Sequence, residues 1–314
     1  MIEINVMKKI LTVEISEGLG NQLFMYSHAY SLSKKFGYKI QIDNTSGYSK
    51  KKNQLRNHQK YMLDHFNIEQ NLASSSYKYD SFFSRSKKKL HQFIDKFSSK
   101  KKFLIEKNLK INGIKLAQSF SDIDYKKLSD SIYVQGNFED YNYFDSFRED
   151  FVRMYKPLNK FIDSNKEIID KLTNSNSVSI HIRQNKFTEQ PHEKNDNNKI
   201  QSSKIFTNKL IEYINKSIDY FQKNLDDPVF FIWSNDFTNL DHHFDKTKFN
   251  YIIGNDPLND FNLFSYAKHF IVGGSTFHWW GAYLNENPNK ICVYPSNINP
   301  SGNSNFYPTD WKKI

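Results

Sequence analysis

The apolar pattern opens on a short β-branched run at 9–15, KILTVEI, which reads as a strand. A turn holding Gly18 and Gly20 follows, and the spacing from Asn21 to Phe36 predicts a helix. Gly37 stops it, because glycine enters the left-handed conformation without strain, and 38–43, YKIQID, returns to strand. Such a β-α-β start usually opens an α/β sheet with helices on its faces. From 44 to 130 lysine, serine and asparagine dilute the pattern to weak helix and loop signals. A strand at 131–135 then runs into the aromatic stretch GNFEDYNYFDSFREDFV, a loop leading into a helix.

A second α/β series begins near Ser177. Strands are expected at 178–183 and 229–234, around a long helix at 203–225 that carries Phe206, Leu210, Ile214, Ile218 and Phe221 on one face. Shorter strands at 251–254, 270–273 and 291–295 alternate with helices near 258–269 and 276–284. The polar stretch between Lys156 and Ser177, with Pro157 and a Thr-Asn-Ser-Asn-Ser run, is the natural join. The expectation is two α/β domains, 1–160 and 161–314, the first carrying a basic helical insertion at about 73–126.

Composition agrees, since 314 residues suffice for two cores and a 16% aromatic fraction makes phenylalanine and tyrosine their main filling. Collagen, coiled coil and wholesale disorder are excluded. The single cysteine, Cys292, cannot close an intramolecular disulfide, and no Cys/His cluster has zinc-finger spacing, so a reducing cytoplasm is the expected location. The N-terminus reads as a strand and not a signal peptide. The longest uncharged run, 269–285, holds two histidines and three glycines and does not read as a membrane span.

Charge changes the picture locally. Of the net +10, a balance of +7 sits between 84 and 102, where Arg85, Lys87, Lys88, Lys89, Lys96, Lys100, Lys101 and Lys102 face one acid, Asp95. Within it Leu90, Phe93, Ile94 and Phe97 recur at helical spacing. Such a helix either packs that stripe on its own domain, the ordinary arrangement, or lies on an anionic membrane surface. No RNA- or DNA-binding module accompanies the lysines, so nucleic acid is not an expected partner.

Three motifs carry candidate chemistry. Glu17-Gly18-Leu19-Gly20-Asn21-Gln22 lies at a strand end and opens a helix, where backbone N–H groups and the helix dipole favour an anion. A tight structural turn has the same sequence signature. A dinucleotide-binding fingerprint, the mark of a nucleotide-dependent oxidoreductase, fails at its third glycine, which is Leu23. His181-Ile182-Arg183 ends a strand, and an arginine fork there suits a diphosphate. Gly273-Gly274-Ser275-Thr276-Phe277-His278 is a second strand-to-helix glycine turn. Asp226-Asp227 precedes a proline and reads as a turn, not a metal site.

With these residues in view, the blocks GLGNQLFMYSHAYSL, YVQGNFEDYNYFDSF, SIHIRQ, FIWSNDF and DFNLFSYAKHFIVGGSTFHWWGAYLN resemble, in order, the bacterial alpha-1,2-fucosyltransferases of glycosyltransferase family 11. The last block is the most specific, with Asp260, Leu263, Ser265, Lys268, His269, Ser275, Thr276, Phe277 and the Trp279-Trp280-Gly281-Ala282 run fitting together. The resemblance implies an α/β fold of GT-B type, two Rossmann-like domains facing across a cleft. It implies GDP-fucose as donor, inversion at the anomeric carbon, no metal or other cofactor, and transfer to O2 of a galactose-terminated surface glycan such as an O-antigen or capsule. A different GDP-deoxyhexose or linkage on the same fold is the alternative.

By the same resemblance Arg183, with His181 beside it, neutralises the donor diphosphate. Gly18, Gly20, Asn21 and Gln22 lie near the sugar, Ser275, Thr276 and Phe277 at the phosphates, and Ser234 and Asp236 near the nucleoside. Asp260 joins this donor set, and Glu189 and His192 are candidate bases. The chain departs from the family where Gln184, Asn185 and Lys186 replace Arg-Gly-Asp, and at Gly274, His278 and Glu17, where asparagine, serine and glycine are usual. Lys186 would restore the missing charge. A transferase-like protein without activity is the reading these departures raise.

Overall fold

A computed structural model describes residues 9–49, 59–106, 109–111, 114–116, 125–156, 163–189, 193–254 and 256–314. The chain divides into two compact units, Met1–Phe151 with Ser301–Phe306, and Val152–Pro300 with Tyr307–Ile314. Residues 157 to 162, where the expected boundary at 160 falls, lie outside the described residues.

The first unit begins with β1 (Ile10–Glu14), α1 (Leu19–Phe36) and β2 (Lys39–Asp43), continues through α2 (Phe82–Asp95) and β3 (Lys101–Ile105) to a small hairpin of β4 (Leu109–Ile111) and β5 (Ile114–Leu116), and returns in β6 (Leu128–Gln135). Its four-stranded sheet, in the order β2-β1-β6-β3, is parallel throughout. Gly37, at φ 73°, ends α1 by donating its N–H to the Ser33 carbonyl at 2.9 Å. The core is aromatic, as composition required. Phe24 packs edge-on to Phe144 and stacks on Phe306, and the His28 ring lies 4.0 Å from that of Phe138. Phe306 belongs to the returning segment, which Asp140 also holds by accepting hydrogen bonds from the side chains of Asn303 and Asn305 at 3.1 and 3.2 Å.

Two expectations for the basic segment are corrected. It is not one helix, because Lys101 and Lys102 belong to β3. The Asp95 carboxylate accepts the Lys102 and Phe103 N–H groups at 2.8 and 3.3 Å, while Lys101 Nζ donates to the Asp95 and Lys96 carbonyls, which closes the helix end. Nor does the stripe pack on its own unit. Leu90, Phe93, Ile94 and Phe97 are exposed.

Helix α3 (Arg148–Met154) carries the chain into the second unit, which contains α4 (Lys166–Asn174), β7 (Asn176–Ile182), α5 (Asn197–Asn224), β8 (Pro228–Ser234), β9 (Phe249–Tyr251), α6 (Pro257–Phe264), β10 (His269–Ile271), α7 (Thr276–Leu284), β11 (Cys292–Tyr294) and β12 (Lys312–Lys313). The six strands run parallel in the order β12-β11-β10-β7-β8-β9. The chain starts in the middle at β7, steps outward through β8 and β9, then returns to the other side of β7 with β10. That is the doubly wound order, with its switch point between β7 and β10.

Helix starts follow side-chain caps. Asp196 opens α5, Asp256 and Pro257 open α6, and Ser275 opens α7. Gly281 lets α7 sit directly on α6, since a Cβ there would stand 2.5 Å from Cβ of Phe264. The expected helix at 258–269 is shorter than predicted, because His269 enters β10. Among the described residues no helix is long and apolar enough to cross a membrane.

Candidate active site

In the second unit the motifs read from sequence converge on one sheet edge. Register pairs Ile182 with Ser234 across β7 and β8, and Ile271 with Ile180 across β10 and β7. Arg183, the Ser234 to Asp236 loop and the Gly273 to Thr276 turn therefore leave the carboxyl ends of three adjacent parallel strands, on both sides of the switch point. Ligands of doubly wound sheets bind at that place.

The turn after β10 is tight. Ser275 N–H bonds to Gly273 O at 2.8 Å, and Ser275 Oγ accepts from Phe277 N–H at 3.3 Å. Thr276 is the first residue of α7, so the helix dipole opens here. A Cβ on Gly273 would stand 3.2 Å from His181 O, and one on Gly274 would stand 2.4 Å from Cγ2 of Ile298. Ile298 thus fills the space that a side chain at 274 would need, which accounts for glycine where the family usually has asparagine.

Behind the turn sits an aromatic layer. His181 meets Phe264, Phe277 and His278 at ring distances of 5.7, 5.8 and 5.7 Å, and His278 Nε2 bonds to Ser179 Oγ at 2.9 Å. Burial, with Arg183 adding a smaller push, lowers His181 to about 3, and burial holds His278 well below the ordinary histidine value. Both are neutral at pH 7, so neither supplies positive charge to a phosphate. Arg183 is the cation of this motif, and its guanidinium pairs with the Glu189 carboxylate. His192 lies outside the described residues. Asp260 sits in the first turn of α6, whose Phe261 and Phe264 rings pack on Phe277.

The departures from the family motif have partners that sequence reasoning missed. Gln184 N–H donates to Asn235 Oδ1 at 2.8 Å, and the Asn235 amide returns a bond to Gln184 O at 3.0 Å. Gln184 Nε2 reaches the Asp236 and Thr238 carbonyls at 2.6 and 3.1 Å, and Asn185 Nδ2 reaches Asp236 Oδ2 at 2.6 Å. Ser234 Oγ closes the pair of loops on Ile182 O at 2.8 Å. Hydrogen bonds from Thr238, and more weakly from Asn185, hold the Asp236 carboxyl below its usual range. Asn185 stands at φ 55°, a conformation asparagine tolerates. Lys186 Nζ lies 4.3 Å above the Phe206 ring, a cation–π contact. The only legible signal for this zipper was the amide-rich pair Gln184-Asn185 opposite Asn235.

In the first unit Gly18 caps α1 without a side-chain bond. Glu17 keeps the left-handed backbone, φ 63°, that a glycine would adopt freely. Its carbonyl accepts from Gln22 Nε2 at 3.1 Å and Tyr48 OH at 3.2 Å, and its carboxylate accepts from Gln59. Gln22 is wholly buried and spends its amide on Glu17 O, Lys60 O and Met62 N–H, so it braces the loop from inside. Gly20 is buried and Asn21 is partly exposed at the start of α1.

A family model for Glycosyl transferase family 11 matches residues 10–314. The chain belongs to glycosyl transferase family 11. This family member is 27% identical over 295 residues to an Escherichia coli "Alpha-1,2-colitosyltransferase", covering 91% of each chain. It is 25% identical over 297 residues to the Escherichia coli "O-antigen biosynthesis glycosyltransferase WbnK", covering 90% of this chain and 92% of the relative. In fold it is similar to a variant of Arabidopsis thaliana FUT1 in complex with GDP, at a TM-score of 0.54 and 12% identity, over 93% of this chain and 72% of that one. The architecture is accordingly α/β of GT-B type and the activity is glycosyl transfer. The oxidoreductase alternative, already weakened at Leu23, is set aside by family membership.

Proposed function

We propose that the protein transfers L-fucose from GDP-fucose to O2 of a galactoside in a surface glycan, with inversion. The observation that carries this reading is the carboxyl edge of β10-β7-β8, where one arginine and one helix-opening glycine turn flank the switch point. A nucleoside diphosphate-sugar suits such an edge. Arg183 neutralises the diphosphate, the α7 N-terminus adds its dipole, and the paired 184–185 and 234–236 loops receive the nucleoside. Asp260, in the first turn of α6, joins the donor-binding set, and Gly18, Gly20 and Asn21 form the turn near the transferred sugar, braced by Gln22.

In the proposed single displacement the galactose hydroxyl oxygen attacks the anomeric carbon opposite GDP. A C–O bond forms there as the bond to the β-phosphate oxygen breaks, GDP leaves with the electron pair, and a base takes the hydroxyl proton. Glu189 is the carboxylate nearest Arg183 in sequence and is paired with it, so we assign it the holding of Arg183 ahead of proton transfer. Metal independence is part of the proposal, and full activity in excess EDTA is its check.

A second donor reading, GDP-colitose, is favoured by the name of the colitosyltransferase relative. Incubating the protein with a panel of GDP-sugars and galactose-terminated acceptors, and reading product mass and linkage, tests both. The expected product is an alpha-1,2-linked fucoside. Transfer of colitose alone would select the second reading, and no turnover with any GDP-sugar would overturn both.

A further inference from the structure

Helix α2 is amphipathic with its polarity reversed. Its buried residues are Lys88 and Asp95, two turns apart. Lys88 Nζ pairs with Glu14 at 2.7 Å, and Asp95 accepts backbone N–H groups of β3. The helix is therefore fastened to the first unit by charge and hydrogen bonds. Phe82, Phe83, Leu90, Phe93, Ile94 and Phe97 stand 55–83% exposed. At about 100° per residue these six occupy an arc of roughly 120° centred opposite Lys88 and Asp95. Phe82 packs edge-on to Phe83, and Phe93 to Phe97.

The rim of that arc is cationic on both sides. Lys87 flanks one edge, Arg85, Lys89 and Lys96 flank the other, and Lys100 and Lys102 follow, all exposed. The one acid from 82 to 102, Asp95, faces the protein. A large apolar patch in water marks an interaction surface, and an apolar arc rimmed by lysines whose stems can snorkel is the pattern of a helix lying in a lipid headgroup layer. A protein partner matching this face would need an apolar groove walled by acids on both sides. A bilayer surface containing anionic phospholipid offers the same complementarity with no such shape requirement.

We propose that α2 docks the protein on anionic bilayer surfaces, with the phenylalanine arc entering the headgroup boundary and the lysine rim pairing with lipid phosphates. This does not rest on the identity of donor or acceptor.

The test is co-sedimentation of the full chain with vesicles of phosphatidylcholine alone or mixed with phosphatidylglycerol. Binding is expected only to the anionic vesicles, and is expected to weaken with salt. Both Phe83→Ser/Phe93→Ser/Phe97→Ser and Lys87→Gln/Lys89→Gln/Lys96→Gln should lose about 10-fold in vesicle affinity while keeping the parent unfolding midpoint. No binding to anionic vesicles, or unchanged binding by the phenylalanine triple variant, would overturn the proposal. Self-association abolished by that variant, without vesicle binding, would assign the face to a second copy and equally overturn it. Should the triple variant misfold, Phe93→Cys carrying an environment-sensitive dye decides, since Cys292 is buried. A blue shift on anionic vesicles supports docking, and unchanged emission refutes it.

Discussion

The Lys88 ammonium lies 2.7 Å from Oε2 of Glu14, joining α2 to the carboxyl end of β1 with both side chains almost out of water. Lys88 also stands 4.4 Å above the Tyr133 ring, and the Tyr133 hydroxyl is 2.7 Å from both Glu14 Oε2 and Asp43 Oδ2. Removing one partner of a buried pair strands the other. Lys88→Met is expected to destabilise the first unit by about 3–5 kcal/mol in urea unfolding, and Glu14→Gln in the same chain should recover part of it. A loss under about 1 kcal/mol would show that the pair behaves as an exposed one.

If Arg183 binds the donor diphosphate as proposed, Arg183 and its partner Glu189 should act on donor affinity in opposite directions. Arg183→Ala removes the proposed countercharge to the diphosphate and should lower turnover by about 10²–10³-fold. Glu189→Gln removes a negative charge beside the same site and frees the guanidinium, so GDP should bind several-fold tighter by calorimetry. Unchanged GDP affinity with a large fall in kcat would instead return Glu189 to the role of base.

Acid should unfold the protein through its buried histidines. Burial, with lesser help from Lys35, lowers His28 to about 3, as burial and Arg183 do for His181, and His278 is held low by burial with His181 adding. The unfolded chain binds a proton at each near the ordinary value of about 6.5, while the native chain does not. The stability from keeping them neutral is therefore whole above about pH 6.5 and is lost as pH falls, for His28 and His181 toward about 3 at about 1.4 kcal/mol per pH unit each, with His278 adding in the same direction. Urea midpoints should drop steadily from pH 6.5 to 4, with a shallower drop in His28→Phe. A flat profile down to pH 5 would contradict it.

Restoring the family's usual asparagine at Gly274 should be harmful here. The new Cβ would meet Ile298, and overpacking of this kind costs about 1–3 kcal/mol. Gly274→Asn is expected to lower the thermal midpoint, and adding Ile298→Ala should relieve it. Equal midpoints for parent and Gly274→Asn would show that Ile298 moves aside freely.

Much of this fold is legible in the sequence alone. Alternating β-branched runs and capped helices mark α7 at the residues where it lies, and place β7 and β8 within two residues of their observed ends, because period and cap chemistry are local. The glycine turns and Arg183 were legible as motifs for the same reason. Strand order was not, since which strands become neighbours depends on pairings remote in sequence, and only those pairings bring Arg183, Ser234 and Gly273 to one edge. The roles of Gln184 and Asn185 were hidden likewise, their partners lying some 50 residues away in 235–238.

The helix α2 shows the division most plainly. Its sequence determined an amphipathic, strongly basic segment. Only the tertiary structure decided which face turns inward, because a buried lysine needs a carboxylate to receive it, and Glu14 reaches that position only once β1 and α2 are folded together.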